Sequence, residues 1–526
     1  MTAVINGLRG ELVRVEIDVA PGLPVCHIVG LPDAALSEAR ERVRGAIRNS
    51  GFEYPMSRIT VNLAPADRRK RGAAYDLAIA IGILVASGQI RRGGGAWALL
   101  GELSLAGTVE PVPGVLPMVA TLARQGYRRV IVAAANVLEA RLVSGVEAQG
   151  VEGLDDAARL VAGPRGRTAG RAVRRSAVEL SGPRPVAAAS ARAATTLTAR
   201  LQPVDLAEVR GQSQARWALE IALAGGHNLL LVGPPGAGKT LLARAIPGLL
   251  PPLTDDEALE VTVIESVAGL LDGGSLERGL RRERPFRTPH HTSSYAALVG
   301  GGPALQPGEA TLAHHGVLFL DELAEFDRPT LDALRQPLEE GVLTIARARG
   351  HVRYPSRFQL VAAMNPCRCG YFHDPQRRCT CKTGDPEQYV RRVSGPLRDR
   401  FDMEIEMARV PPPVLLGGPH PEASAPVRDR ITCARQIALA RNGGRPNSQL
   451  PGTAVLAACQ LTRAGIRVLE EWSAMHQLSA RSVHRLLRVA RTIADLQARP
   501  AVTEHDVLGA GSLRDPARPV DDVLAA

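Results

Sequence analysis

Residues 228–232 read NLLLV, residues 233–240 follow at once as GPPGAGKT, and LLARAI continues the chain. A continuous apolar run suits a buried parallel strand, and it passes into a glycine-rich loop and then into helix-forming residues, the order that a phosphate-cradling loop requires. Gly233, Gly236 and Gly238 let the backbone wrap a phosphate with its N–H groups, Pro234, Pro235 and Ala237 fill the rest of the loop, and the following helix turns its positive end to the same oxygens. Lys239 is placed to reach the β and γ phosphates and Thr240 to hold Mg²⁺ through its hydroxyl. Lysine occurs only at 70, 239 and 382 among 64 basic residues. In so arginine-biased a chain Lys239 is informative, because arginine does not replace a compact ammonium. ATP and Mg²⁺ are the expected cofactors.

A nucleotide loop needs an acidic partner at the end of another buried strand. GVLFLDE at 316–322 supplies it: residues 317–320 form the strand, Asp321 is the Mg²⁺ ligand, either direct or through a coordinated water, and Glu322 is the carboxylate that polarises a water for attack on the γ phosphate. Glu322 makes the expected activity hydrolysis rather than binding alone. A third strand is expected at 358–363, with Asn365 just beyond it in AAMNP.

These residues together resemble the AAA+ ATPases. The resemblance implies that Asn365 is the polar sensor that orients the attacking water. SGPLRDRFD at 394–402 is similar to the segment that carries a trans-acting arginine in the helix-two-insert clade, which implies that Arg400 is the finger, ahead of Arg392 and Arg398. Ser479-Ala480-Arg481 looks like the second sensor, with Arg481 reaching the γ phosphate from a helical lid. A finger serves a neighbour's site, so a homo-oligomeric ring, hexameric by resemblance, is implied.

Within that clade the chain resembles the YifB/ComM family of magnesium-chelatase-like proteins. The likeness rests on RPFRTPHHTSS (284–294), GGGPALQPGEATLAHHGVLFLDEL (300–323), YPSRFQLVAAMNPCRCGY (354–371) and LSARSVHRLLRVARTIADL (478–496). GLPDAALSEARERVRGAIRNSGF (30–52) and LLGELSLAGTVEPVPGVLPM (99–118) resemble a Lon protease domain. The segments where such a peptidase needs its serine and lysine read RGAAYDLA (71–78) and PVPGVLPM (111–118), with neither residue, so this domain is expected to be catalytically inactive. The resemblance implies an ATP-driven DNA translocase or branch-migration helicase of recombination or transformation. Two alternatives stay open: a chelatase-like motor that drives metal insertion, and a regulatory or chaperone-like protein acting on a protein client.

Working outward, the 526 residues divide into four regions. Residues 1–160 alternate strand-like runs (12–19, 59–63, 130–134) with amphipathic helical stretches (34–50, 76–87, 115–125), an α+β pattern. Residues 161–203 form an Ala/Arg/Pro-rich linker, residues 204–410 an α/β P-loop motor with a cysteine-rich segment at 367–381, and residues 411–526 a helical lid and C-terminal region. The net charge of +11 is a weak argument for nucleic acid, because residues 161–200 hold eight arginines against the single Glu179. That stretch reads as a solvated tether. No run of eighteen apolar residues passes without a charge or breaker, so no membrane partner is expected and a cytoplasmic protein is.

Two further clusters stand out. GVLTIARARGHVRY (341–354) reads as two short strands around a turn at Gly350, presenting Arg347, Arg349, His351 and Arg353; such a hairpin follows a DNA backbone without reading bases. Solvated charge on an edge hairpin is the competing reading. Cys367, Cys369, Cys379 and Cys381 put four thiols in fifteen residues, suited to tetrahedral Zn²⁺ or, alternatively, to reduced thiols or redox pairs. Cys26, Cys433 and Cys459 read as ordinary buried thiols. His290-His291 in RTPHHTSS fits either a metal site or hydrogen-bonded loop structure.

Overall fold

A computed structural model describes residues 1–30, 34–65, 72–91, 93, 95–163, 204–271, 276–277, 279–302, 305–347, 350–417 and 421–514. They fall into two units, one of Met1–Thr195 with Asp255–Arg281 and one of Thr196–Thr254 with Arg282–Ala526. From residue 164 on, the basic linker lies outside the described residues.

In the first unit, β1 (Thr2–Asn6) and β2 (Arg9–Ala20) form a hairpin, β2 pairs antiparallel with β4 (Arg58–Ala64), and β3 (Val25–Val29) runs parallel to β4 at the edge. β4 shows why: Ile59, Val61 and Leu63 are fully buried and alternate with exposed or half-buried residues, the period of a sheet with one covered face. The helix Asp76–Ala86 is buried nearly all round, as its apolar sequence requires. Its one charge, Asp76, is fully buried and held by Arg42 at 2.7 Å; burial outweighs that partner and pushes its pKa up to about 6. A separate parallel sheet has the order β5 (Trp97–Leu99), β8 (Arg129–Ala133), β9 (Glu147–Val151), and β6 (Glu102–Leu103) pairs with β7 (Val109–Glu110).

The helix Asp255–Ala268, which the sequence division put in the motor, clusters with this first unit. The buried carboxylate of Glu139 explains the attachment. It accepts from Ser266 Oγ at 2.5 Å, from the Leu116 N–H at 2.8 Å and from Asn136 Nδ2 at 3.2 Å, while Gly114 N–H donates to the Ser266 carbonyl at 2.9 Å. A buried acid left without these donors is costly, so the helix is held by necessity as well as by packing.

The second unit is built on a parallel five-stranded sheet. Its strands are β10 (Leu229–Val232), β11 (Phe286–Arg287), β14 (Val317–Leu320), β17 (Gln359–Met364) and β18 (Met403–Glu406), in the order β11-β14-β17-β10-β18. Short antiparallel pairs lie outside it: β12 (Gly300–Gly301) with β13 (Gln306–Pro307), and β15 (Val342–Arg347) with β16 (Gly350–Pro355). β14 and β17 are buried at every position, and β10 at all but its last. That is the expectation for parallel strands covered on both faces. β10 is an interior strand, with Leu229 opposite Val361 on one side and Met403 on the other.

After residue 421 the chain is helical: Ser424–Arg441, Gly452–Cys459, Arg463–Met475, Ala480–Leu496 and Glu504–Ser512. Thr462 and Ser479 cap the starts of two of these through the N–H groups of Gly465 and Ser482. The helix Ala480–Leu496 buries Leu486, Leu487, Ala490 and Ala494, the stripe its sequence marks.

That helix also buries ions. Asp495 accepts two bonds from Arg441 at 2.7 and 2.8 Å, one from Asn447 at 2.8 Å, and pairs with the fully buried Arg491 at 3.1 Å. Asp495→Ala leaves two guanidinium groups uncompensated and should cost about 3–5 kcal/mol, read as a fall in the denaturant midpoint of this unit. A loss under about 1 kcal/mol would contradict the dependence of these helices on the buried acid.

Candidate nucleotide-hydrolysing site

The loop 233–238 leaves the C-terminal end of β10, between the ends of its neighbours β17 and β18, the crevice where open parallel sheets hold ligands. Gly236 and Gly238 have φ of 81° and 91°, left-handed values that residues with a Cβ rarely adopt, and Gly238 leads directly into the helix Lys239–Arg244.

Lys239 is almost wholly buried. Its Nζ donates to the Gly233 carbonyl at 2.6 Å, the Pro234 carbonyl at 3.0 Å and Asn365 Oδ1 at 3.1 Å, so all three donors are engaged. Burial depresses its pKa to about 8, against the opposing pull of Asp321 and Glu322. Thr240 Oγ1 donates to Asp321 Oδ2 at 2.7 Å, and Asp321 Oδ1 accepts from the Glu322 N–H at 3.0 Å. A hydroxyl and a carboxylate side by side form a hard oxygen set, which fits Mg²⁺. Lys239, Thr240, Asp321 and Asn365 therefore meet at one end of the sheet. Glu322 stands beside them with φ 52° and ψ 47°, a strained conformation for this residue type.

The structure adds a partner that sequence reasoning missed. His291 Nδ1 lies 3.1 Å from Glu322 Oε2, and the ring of His291 packs on that of His290, centroids 4.2 Å apart. His290 Nδ1 contacts Thr292 Oγ1 at 2.8 Å, Arg287 grips Glu309 with two bonds of 2.6 and 2.8 Å, and Ser294 caps the next short helix. The RTPHHTSS segment is thus a hydrogen-bonded loop that sets a ring against Glu322. A second unforeseen feature is a cavity of about 430 Å³ beside the loop, lined by Val209, Gln212, Pro235, Leu241, Val410 and Leu415. Gln212 Nε2 bridges the carbonyls of Ala237 at 2.9 Å and Ala408 at 2.5 Å, so this cleft, which Glu208, Arg210 and Arg409 also line, is fixed to the loop.

Arg400 and Arg481 lie elsewhere. Both line a cavity of about 500 Å³ with Asn228, Phe358, Arg485 and Arg488. Asn228 and Phe358 precede β10 and β17, so the cavity opens at the N-terminal end of the strands, on the order of 15 Å from the loop at their other end. Asn228 Nδ2 holds the Arg400 carbonyl at 2.8 Å, and the Arg400 side chain pairs with Glu339. The chain does not bring Arg481 to its own loop, because its helix packs on Ser213–Gly225, with Thr492 Oγ1 2.8 Å from His227 Nε2. Arg398 pairs with Glu404 at 2.6 Å and Arg392 with Glu325 at 3.1 Å.

In the β15–β16 hairpin, Leu343, Ile345, Val352 and Tyr354 are buried, while His351 and Arg353 are exposed. Gly350, expected at the turn, is instead a strand residue paired with Arg347. Arg349 and the Arg347 side chain lie outside the described residues. The four clustered cysteines converge, with Sγ atoms within 4.8 Å of one another, an arrangement compatible with a structural zinc. Of the other three, Cys459 is buried, Cys26 half-buried, and Cys433, contrary to expectation, exposed.

Residues 205–414 match the family described as magnesium chelatase, subunit ChlI; residues 15–136 match subunit ChlI of Mg-chelatase; and residues 421–514 match its C-terminal region. The chain is 43% identical over 518 residues to the uncharacterized protein YifB of Escherichia coli (strain K12), covering 98% of this chain and 96% of that one. It belongs to the YifB/ComM family of magnesium-chelatase-like proteins. It is also 42% identical over 497 residues to the competence protein ComM of Haemophilus influenzae (93% and 92% covered) and 43% identical over 523 residues to an uncharacterized protein of Mycobacterium tuberculosis strain H37Rv (98% and 97% covered). Family membership makes this an AAA+ ATPase that uses ATP with Mg²⁺, which agrees with the Lys239, Thr240 and Asp321 geometry. No helix among the described residues is long and apolar enough to cross a membrane.

The state of Lys239 yields a pH signature. Phosphate favours the ammonium, so nucleotide binding raises a pKa that starts near 8. Binding at pH 8 should therefore take up protons, and affinity should fall as pH rises past about 8. Calorimetry in two buffers of different ionisation enthalpy measures this uptake, and none at pH 8 would contradict a desolvated Lys239 as the phosphate contact.

Proposed function

We propose that the protein is an ATP-hydrolysing ring motor that moves DNA, with each hydrolysis site completed by a neighbouring subunit. One observation carries the reading: Lys239, Asp321, Glu322 and Asn365 stand at one end of the parallel strands, and Arg400 with Arg481 at the other. Two halves at opposite ends of one sheet meet when copies pack head to tail, an arrangement that forms a ring when the rotation between copies closes. In this scheme Thr240 and Asp321 would hold Mg²⁺, and the ion would supply positive charge to offset the phosphates. Glu322, oriented by His291, takes a proton from the attacking water, and Asn365 positions that water. Arg400 exchanges Glu339 for the neighbour's γ phosphate, and Arg481 approaches the same phosphate from the C-terminal helices acting as a lid.

The DNA part of the proposal rests on the hairpin of residues 342–355, whose apolar face is covered and whose other face exposes His351 and Arg353, and on identity with a competence protein. Arg347 and Arg349 would join Arg353 in following a phosphate backbone. The first unit, Lon-like in sequence, has neither serine nor lysine in the segments 71–78 and 111–118 and is proposed as a structural or docking module. A chelatase-type motor and a client-remodelling ATPase share the same ATP site and differ only in what stimulates it.

ATP turnover should rise several-fold with single-stranded or four-way-junction DNA and lose that rise in Arg347→Ala/Arg349→Ala. Glu322→Gln should bind ATP normally while turnover falls about 100-fold or more. Turnover indifferent to every DNA form would remove DNA as the substrate, and unchanged turnover in Glu322→Gln would remove the residue from its role.

A further inference from the structure

Between the end of β17 at Met364 and the helix Asp385–Val390 the chain runs for twenty residues without a helix or strand. So long an irregular stretch in a packed domain requires its own means of order. A few polar contacts contribute: Asp374 Oδ1 accepts from the N–H groups of Gln376 and Arg377, and the Arg377 guanidinium sits 4.4 Å over the Tyr371 ring. The Asp374 side chain is buried, with Oδ2 3.7 Å from Arg409 Nε, and these contacts order the turn at 371–377.

The remaining organisation comes from four sulfurs. Cys367 and Cys369 are 3.4 Å apart at Sγ, Cys369 and Cys379 3.5 Å, and Cys367 and Cys379 3.8 Å, with Cys381 in the same group. Zn–S bonds of about 2.3 Å in a tetrahedron set S···S edges of about 3.8 Å. Backbone N–H groups already point at the sulfurs, those of Thr380 and Tyr371 at Cys369, that of Cys381 at Cys379, and that of Cys369 at Cys381. Arg368, Arg377, Arg378 and Lys382 lie in the same stretch and offset the negative charge that four thiolates leave around a divalent ion.

This knuckle touches the phosphate loop. Gly370, at φ 86°, follows the turn closed by its N–H on the Cys367 carbonyl at 3.0 Å, and a Cβ there would come within 2.4 Å of Pro235 Cδ. Two residues before Cys367, Asn365 receives the Lys239 ammonium. One rigid segment therefore abuts the loop at Pro235 and its lysine through Asn365. We infer that Cys367, Cys369, Cys379 and Cys381 bind Zn²⁺ as a tetrathiolate site, and that the filled site clamps the phosphate loop in its nucleotide-binding shape. The second half of this inference rests on the assignment of residues 233–240 as the nucleotide site.

The test uses the full chain. Purified protein should carry about one zinc, and Co²⁺ exchanged into it should show the ligand-field spectrum of tetrahedral thiolate coordination; zinc below about 0.2 per chain with no such spectrum would overturn the metal site. Gly370→Ala keeps all four thiols and should retain zinc while weakening affinity for a fluorescent ATP analogue about tenfold or more, since small displacements of a positioning group act on that scale. Zinc retained with unchanged nucleotide affinity would overturn the clamp. Lys239→Ala should keep its zinc and lose the nucleotide. If the wild-type chain held zinc but bound no ATP analogue, the nucleotide assignment would fail while the metal site stood.

Discussion

A buried ammonium organises the motor. Placing Lys239 out of water is unfavourable unless every donor finds an acceptor, and the acceptors come from two places in sequence: the carbonyls of Gly233 and Pro234 and the side chain of Asn365. This is met only if β10 and β17 are adjacent and parallel, in the register that pairs Val232 with Met364. The register in turn follows from unbroken apolar strands buried on both faces. In the proposed function a nucleotide would enter a site that is already shaped, its phosphates replacing carbonyl partners of Lys239.

At the opposite end of the strands the balance is reversed. Arg400, Arg481, Arg485 and Arg488 share a cavity with Asp399 and Asp402, and burial depresses the pKa of Arg485 and Arg488. Guanidinium groups gathered in a partly desolvated cleft are suited to a multiply charged anion. One end carries the loop and the other a group of cations, which is the physical basis for the proposal of a site shared between copies.

Much of this was legible in the sequence because the chemistry is local. The strands at 229–232, 317–320 and 359–364 are continuous apolar runs, and the loop, the Asp321-Glu322 pair and Asn365 follow them within a few residues. What sequence left hidden depends on distant pairings. His291 and Glu322 are thirty-one positions apart with no periodicity linking them, and the cleft beside the loop gathers residues from 208–212, 235–241 and 409–415. The helix Asp255–Ala268 has a charged first turn and apolar positions that suit any neighbour, so nothing local reveals that Glu139 would receive Ser266. Arg481 was legible as a candidate phosphate ligand, but its distance from its own loop depends on how the helix Ala480–Leu496 docks.

The shared-site claim is tested most directly by mixing two inactive variants, Lys239→Ala and Arg400→Ala, and measuring ATP turnover. Arg400→Ala subunits keep an intact loop and Lys239→Ala subunits an intact finger, so random co-assembly should restore about a quarter of wild-type activity. Turnover that stays at the level of the separate variants, in a mixture shown to co-assemble, would contradict a hydrolysis site built from two subunits.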